Sequence, residues 1–159
     1  MTALDLSFLL NQASYAFAAR LAGALEGVGV SVREYCVLWK AAEQERTQAE
    51  IATLAGLDKT TMVVTLDRLE QAGLARRRAS ESDRRARVVD VTPRGLEAYE
   101  AGRVIVERVT EETLSTLSPG TRAGLVGALT ELTAAGGLLA TPSHVTPQRR
   151  KQVRAHPSG

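Results

Sequence analysis

Apolar residues recur along the first part of the chain at steps of three and four: Leu6, Leu9, Leu10, Ala13, Phe17, Leu21 and Leu25. That period predicts a helix over residues 4–26 with one apolar stripe. Phe8 and Tyr15 widen the stripe, so more than one packing partner is expected, and Gly27 and Gly29 end the run. Ser31 and Glu34 form a capping-box pair that opens a second helix over 32–43, with Tyr35, Val37, Leu38 and Trp39 among its bulky residues. Thr47 and Glu50 repeat the pattern for a third helix that turns Ile51 and Leu54 inward. Ala55-Gly56-Leu57 makes a tight turn, and Asp58 is placed to cap a fourth helix running to residue 71, with Met62, Leu66 and Leu69 on one face. Gly73 is a natural residue to follow its end.

The pattern then changes. Residues 74–78 and 87–91 read as two short strands, and 79–86 as the hairpin loop between them, longer than the common two-residue turns. Thr92-Pro93 places a cap residue before a proline whose missing amide costs nothing at the first helical position. A fifth helix runs from there towards residue 117, roughly 25 residues or about 37 Å. Ser118-Pro119 repeats the start signal for a sixth helix ending near residues 135–137. The order is four helices, a hairpin and two helices. The fifth helix is too long to bury itself on a small domain, and Leu96, Ile105, Val109 and Leu114, with Leu125, Leu129 and Leu132 on the sixth, need another surface. A second copy of the chain covers them in a two-fold dimer built from terminal helices; a monomer packing those helices on each other is the alternative.

Composition narrows the class. A chain of 159 residues with 44% apolar content is long enough for one domain with a core. It has no apolar run approaching the ~20 residues of a membrane span and no basic start before an apolar segment, and a single Cys36 forms no internal disulfide. A cytoplasmic protein is expected. Net charge is only +2, but Arg76, Arg77, Arg78, Arg84, Arg85 and Arg87 lie within twelve residues, and residues 141–159 hold Arg149, Arg150, Lys151 and Arg154 with no acid. Without that tail the remainder is −2. One focused cationic patch on a near-neutral body points to a local anionic partner. Two helices joined by a tight turn and followed by a basic flap fit a DNA major groove and the adjacent minor groove.

The segment GLARRRASESDRRARVVDVTPRG resembles the wing of MarR-family transcriptional regulators. The family pattern is Gly-Leu, a basic strand, Asp-x-Arg at the wing tip, a short apolar strand and Leu-Thr-x-x-Gly. The counterparts here are Gly73-Leu74, Asp83-Arg84-Arg85, Val88 to Val91, and Val91-Thr92-Pro93-Arg94-Gly95, with valine in place of the usual leucine. The upstream LDRLEQAGL resembles the end of the family's recognition helix. The resemblance spans about residues 4–138. It implies a mainly α fold with a small antiparallel β-hairpin wing: a winged helix-turn-helix lobe over about 31–92, dimerisation helices over about 4–26 and 93–136, and a basic tail from 139 to 159. It also implies a homodimer on double-stranded operator DNA, with the helix at 58–71 in the major groove.

On that reading Lys59, Thr60, Thr61, Val63, Val64, Asp67 and Arg68 lie off the buried face and are candidate contacts. Thr60 and Thr61 reach phosphates or base edges, whereas Val63 and Val64 either meet thymine methyls or pack internally. Arg85, matching the arginine of Asp-x-Arg, is expected in the minor groove, with Asp83 orienting it and Arg84 and Arg87 on phosphates. The alternative for these arginines is a solvated stripe paired to Glu81 and Asp90. Arg76 to Arg78 alternate faces along a strand, so all three cannot point at DNA. Thr47 and Gln48 are further phosphate candidates.

Family members often bind small aromatic anions between the dimer helices and the winged lobe. Asn11, Tyr15, Arg20, Tyr35 and Trp39 are the candidates here: Arg20 for a carboxylate, Trp39 for stacking. For most of them a core or surface role is the competing reading. Cys36 raises a redox-sensing regulator as an alternative, although a small buried thiol accounts for it. Both histidines, His144 and His156, are in the tail, no zinc cluster is evident, and there is no phosphate-binding glycine loop or nucleophile elbow, so neither an enzyme nor a cofactor is expected. A winged helix used as a protein-interaction module is the alternative from a different class, and the arginine-rich wing argues against it.

Overall fold

A computed structural model describes residues 5–80 and 85–134. Its elements, in order, are α1 (Leu6–Leu25), a 3₁₀ turn (Glu26–Val28), α2 (Val32–Glu43), α3 (Gln48–Leu54), α4 (Lys59–Gln71), β1 (Ala75–Ala79), β2 (Arg87–Val91), α5 (Pro93–Leu114) and α6 (Pro119–Thr133). The fold class is as expected: helices with one antiparallel hairpin. Several boundaries move. Strand β1 starts and ends one residue later than the apolar pattern suggests, because pairing with β2 runs from Ala75↔Val91 to Ala79↔Arg87. Helix α5 stops at Leu114 rather than near 117, closed by the Ser115 amide donating to Glu111 O at 2.8 Å. Helix α6 ends at Thr133.

The helix starts follow their side-chain caps. Ser31 Oγ accepts from the Glu34 amide at 3.2 Å while Glu34 returns to the Ser31 amide at 2.7 Å. Thr47 and Glu50 make the same reciprocal pair at 3.3 and 2.7 Å, and Asp58 Oδ1 accepts from the Thr61 amide at 2.9 Å. Both α3 and α4 end on a left-handed glycine, Gly56 at φ 63° and Gly73 at φ 69°. In each, the next residue's amide reaches back to the helix, Leu57 to Ala52 O and Leu74 to Leu69 O, both at 2.8 Å. These two corners set the angle between α3 and α4 and the point where the hairpin leaves.

The chain divides into two units, Met1–Arg122 and Ala123–Gly159. In the first, the core lies under the α2–α4 layer and the root of the hairpin: Leu25, Val30, Tyr35, Val37, Leu38, Ile51, Met62, Leu66, Leu69, Leu74 and Val89 are all buried. Met62, Leu66 and Leu69 enter it from α4, as their spacing predicts. The Tyr35 ring stacks on Tyr99 of α5 at 5.9 Å between centroids. It also fills the space over Gly102, where an added Cβ would lie 2.8 Å from the ring.

The α1 stripe is buried only at its end, Leu21 and Leu25. Leu6, Phe8, Leu9, Leu10 and Tyr15 remain exposed, Tyr15 at 76%. In the second unit, the described part of α6 exposes Leu125, Val126, Leu129 and Leu132. Among the described residues, no helix is long and apolar enough to cross a membrane.

Candidate nucleic-acid interface

Helix α4 turns one face into the core and the other outward. Lys59, Thr60, Val64 and Arg68 are exposed, while Thr61, Val63 and Asp67 are partly covered. The two valines therefore differ: Val64 is 46% exposed, and Val63 is partly packed. Thr61 is committed to its cap, its hydroxyl donating to Asp58 Oδ2 at 2.6 Å. Thr47 is likewise occupied, donating to Glu50 Oε2 at 2.7 Å, so its hydroxyl is held for the helix rather than free to turn to a ligand.

The hairpin approaches the start of α3 closely. Thr47 bridges to Val88, and the Val89 amide donates to Arg46 O at 3.2 Å. Between these elements runs an open groove of about 600 Å³, lined by Thr47 and Gln48 of α3, Lys59 of α4, and Arg85, Ala86 and Arg87 of the hairpin, over a floor that includes Ala52, Leu57 and Met62. Three of the predicted contact cations, Lys59, Arg85 and Arg87, thus meet around one groove together with Thr47 and Gln48. Asp83 and Arg84, the other wing-tip candidates, lie outside the described residues, as do Glu81 and the basic tail.

The β1 arginines behave differently. Arg76 Nε lies 3.4 Å from Asp90, Arg78 Nε donates to Asp90 at 3.0 Å and its Nη2 reaches Glu45, and Arg77 binds Asp67 and Glu70 of α4. Strand alternation excluded some of these arginines from DNA; the pairs to Asp90 lie within the hairpin, while those of Arg77 to Asp67 and Glu70 and of Arg78 to Glu45 depend on how β1 lies against α4 and the segment after α2.

The predicted effector residues do not converge in the protomer. Asn11 and Tyr15 are exposed on α1, Arg20 lies 3.9 Å from Glu112 of α5, Tyr35 is buried against Tyr99, and Trp39 is 38% exposed beneath Lys40 Nζ, 3.5 Å from its ring centroid. Burial pushes the Tyr35 hydroxyl up to about 12, which suits a core tyrosine better than a ligand contact. A different groove, of about 540 Å³, lies between α1 (Ala18, Ala22), the start of α2 (Val32, Arg33) and α4 (Thr60, Val64, Arg68). Sequence reasoning missed Arg33, whose only signal was a cation in the first turn of a capped helix.

Cys36 is half-buried, and burial raises its thiol above the usual range, with Lys40 opposing. A thiol kept protonated is a poor nucleophile towards peroxide. Peroxide treatment should therefore release DNA to the same extent from the parent and from Cys36→Ser; release confined to the parent, measured by gel shift, would assign the thiol a sensing role.

A MarR family model matches residues 28–86, which hold the helix-turn-helix and the hairpin up to its tip. Over those residues the chain is similar to the MarR family. Solved structures extend the likeness over most of the chain. A probable transcriptional regulator from Pseudomonas aeruginosa is 28% identical with a TM-score of 0.74, covering 81% of this chain and 97% of its own. CouR from Rhodococcus jostii RHA1, bound to p-coumaroyl-CoA, is 27% identical with a TM-score of 0.72, covering 80% and 91%. The transcriptional repressor CouR bound to a 23-mer DNA duplex gives 26%, 0.73, and 79% and 90%. These likenesses support a DNA-binding transcriptional regulator.

Proposed function

We propose that the chain is a homodimeric repressor that grips duplex operator DNA with α4 in the major groove and the hairpin in the adjacent minor groove, and that a small organic anion releases it. The observation that carries the DNA reading is the groove where Lys59, Arg85 and Arg87 meet Thr47 and Gln48, because it joins the outer end of α4 to the hairpin in one cationic surface. Outside that groove Thr60 and Val64 also lie exposed on α4, suited to a phosphate or base edge and to a thymine methyl respectively. Arg68 adds a cation one turn further on, and Asp83 and Arg84 complete the tip by family resemblance.

The dimer reading rests on the exposed apolar residues of α1 and of α6, each a surface that a second copy would cover. In this reading residues 31–92 are the DNA lobe and the flanking helices hold two lobes near the 34 Å repeat of the duplex.

The groove between α1, α2 and α4 supports the effector reading. Its volume suits a small ligand, Ala18, Ala22, Val32 and Val64 supply apolar walls, and Arg33 and Arg68 supply cations for a carboxylate. CouR, bound in its structures to p-coumaroyl-CoA and to DNA, is a relative whose ligand carries an aromatic ring and anionic groups.

Selection from a random duplex library by the full chain tests the proposal. A two-fold symmetric sequence should be enriched, its affinity should fall steeply with salt as phosphate contacts demand, and aromatic carboxylates should release it. Failure to enrich any sequence would sink the DNA reading; enrichment with no release would sink only the effector.

A further inference from the structure

Arg77 leaves β1 towards α4 rather than towards solvent, its side chain only 24% exposed. Its backbone amide donates to Glu70 Oε1 at 2.7 Å and its Nε to Glu70 Oε2 at 3.1 Å, while Nη2 reaches both Glu70 and Asp67. Asp67 and Glu70 stand three residues apart on α4, so one planar guanidinium spans both carboxylates. The clamp joins the C-terminal part of α4 directly to the third residue of a paired strand, opposite Val89.

Asp67 is also an acid on the partly exposed side of a helix proposed to lie along phosphates, where an uncompensated carboxylate would repel them. We propose that Arg77 is a positioning residue for DNA recognition: its fork to Asp67 and Glu70 fixes the angle of the wing against α4 and neutralises the acid on that helix, without itself meeting DNA. The inference rests on the DNA reading above. The arginine hydrogen bonds hold Glu70 below the usual carboxylate range, so that carboxylate is charged at neutral pH.

The sign of one substitution separates this from simple electrostatics. Glu70→Ala removes a negative charge beside the DNA surface, so charge alone predicts tighter binding. The clamp predicts the opposite: specific affinity for the selected duplex falls fivefold or more, while affinity for random duplex is unchanged or rises. Hydroxyl-radical protection should fade in the flanking minor grooves and persist where α4 lies. Alanine is the best helix former, so α4 is retained.

Arg77→Lys keeps the charge but cannot hold both carboxylates in one plane, and should weaken specific binding in the same way. Specific binding by Glu70→Ala equal to or tighter than the parent's would overturn the inference. So would Arg77→Lys binding the selected duplex as tightly as the parent, with the same hydroxyl-radical footprint. If the parent enriches no duplex at all, the DNA reading fails with it, whereas a parent that binds and a Glu70→Ala variant that binds equally well removes the clamp alone.

Discussion

Gly95→Ala should cost the folded protein about 3 kcal/mol or more, the upper end for overpacking a core. A Cβ built on Gly95 would lie 1.8 Å from Leu74 O, 2.8 Å from Leu74 C and 2.9 Å from Val91 Cγ1. The first of these is a backbone carbonyl, which cannot rotate away as a side chain would. It is also engaged, accepting from the Thr92 amide at 3.0 Å. Thr92 Oγ1 ties the same corner twice more, accepting from the Gly95 amide at 3.0 Å and donating to Gly73 O at 2.8 Å. The first turn of α5 is therefore sewn to the residues that end α4 and begin β1. Relief by shifting α5 outward would break those bonds and uncover Leu74, which is buried. Urea unfolding at one fixed protein concentration checks this; a midpoint within error of the parent would mean the corner yields more easily than its bonds indicate.

Arg85→Ala should lower specific operator affinity by about 1–3 kcal/mol, roughly 5- to 150-fold, with the fold intact. Arg85 is exposed at the hairpin and borders the groove shared with Lys59 and Gln48. It is not among the buried residues that make the core, so its removal leaves the protomer packed. Narrow A·T-rich minor grooves concentrate negative potential, and a guanidinium there is worth more than one on an open phosphate. The loss should accordingly be largest for duplexes carrying A·T tracts at the flanks and smaller for G·C-rich ones. Fluorescence anisotropy on such a pair of duplexes at physiological salt measures it. Equal affinity of parent and variant for the A·T-flanked duplex would remove Arg85 from the minor groove.

The local half of this fold was readable because its signals are local. Ser31 with Glu34 and Thr47 with Glu50 announce helix starts within four residues, and Gly56 and Gly73 announce ends, so α2, α3 and α4 fall where the pattern puts them. The surplus on α1 was legible too: Phe8 and Tyr15 widen its stripe beyond what one partner covers, and the protomer buries only its end at Leu21 and Leu25, although periodicity alone does not say which residues stay uncovered. Long-range pairs were out of reach. Asp67 looked like a DNA contact from helical position alone, and only the placement of β1 against α4 brings Arg77 to it. Tyr35 and Trp39 looked alike as aromatic neighbours of a pocket, yet one is stacked in the core and the other is exposed under a lysine. The motif Thr92-Pro93-Arg94-Gly95 predicted a helix start; that Gly95 also admits a carbonyl is a matter of packing between segments and leaves no mark in spacing.

Strand β2 is held along both edges: Val88 pairs with Arg78 on one side and bridges to Thr47 on the other, and Val89 pairs with Arg77 while its amide reaches Arg46 O. A hairpin fastened on one edge would lose its swing only when it meets a ligand, and that entropy would be charged against association. Here the ordering of the hairpin's base is completed when the protomer folds. Encounter with a duplex then starts from a base already in place, which favours a fast search with many short-lived visits over a slow one in which each visit must first build that base.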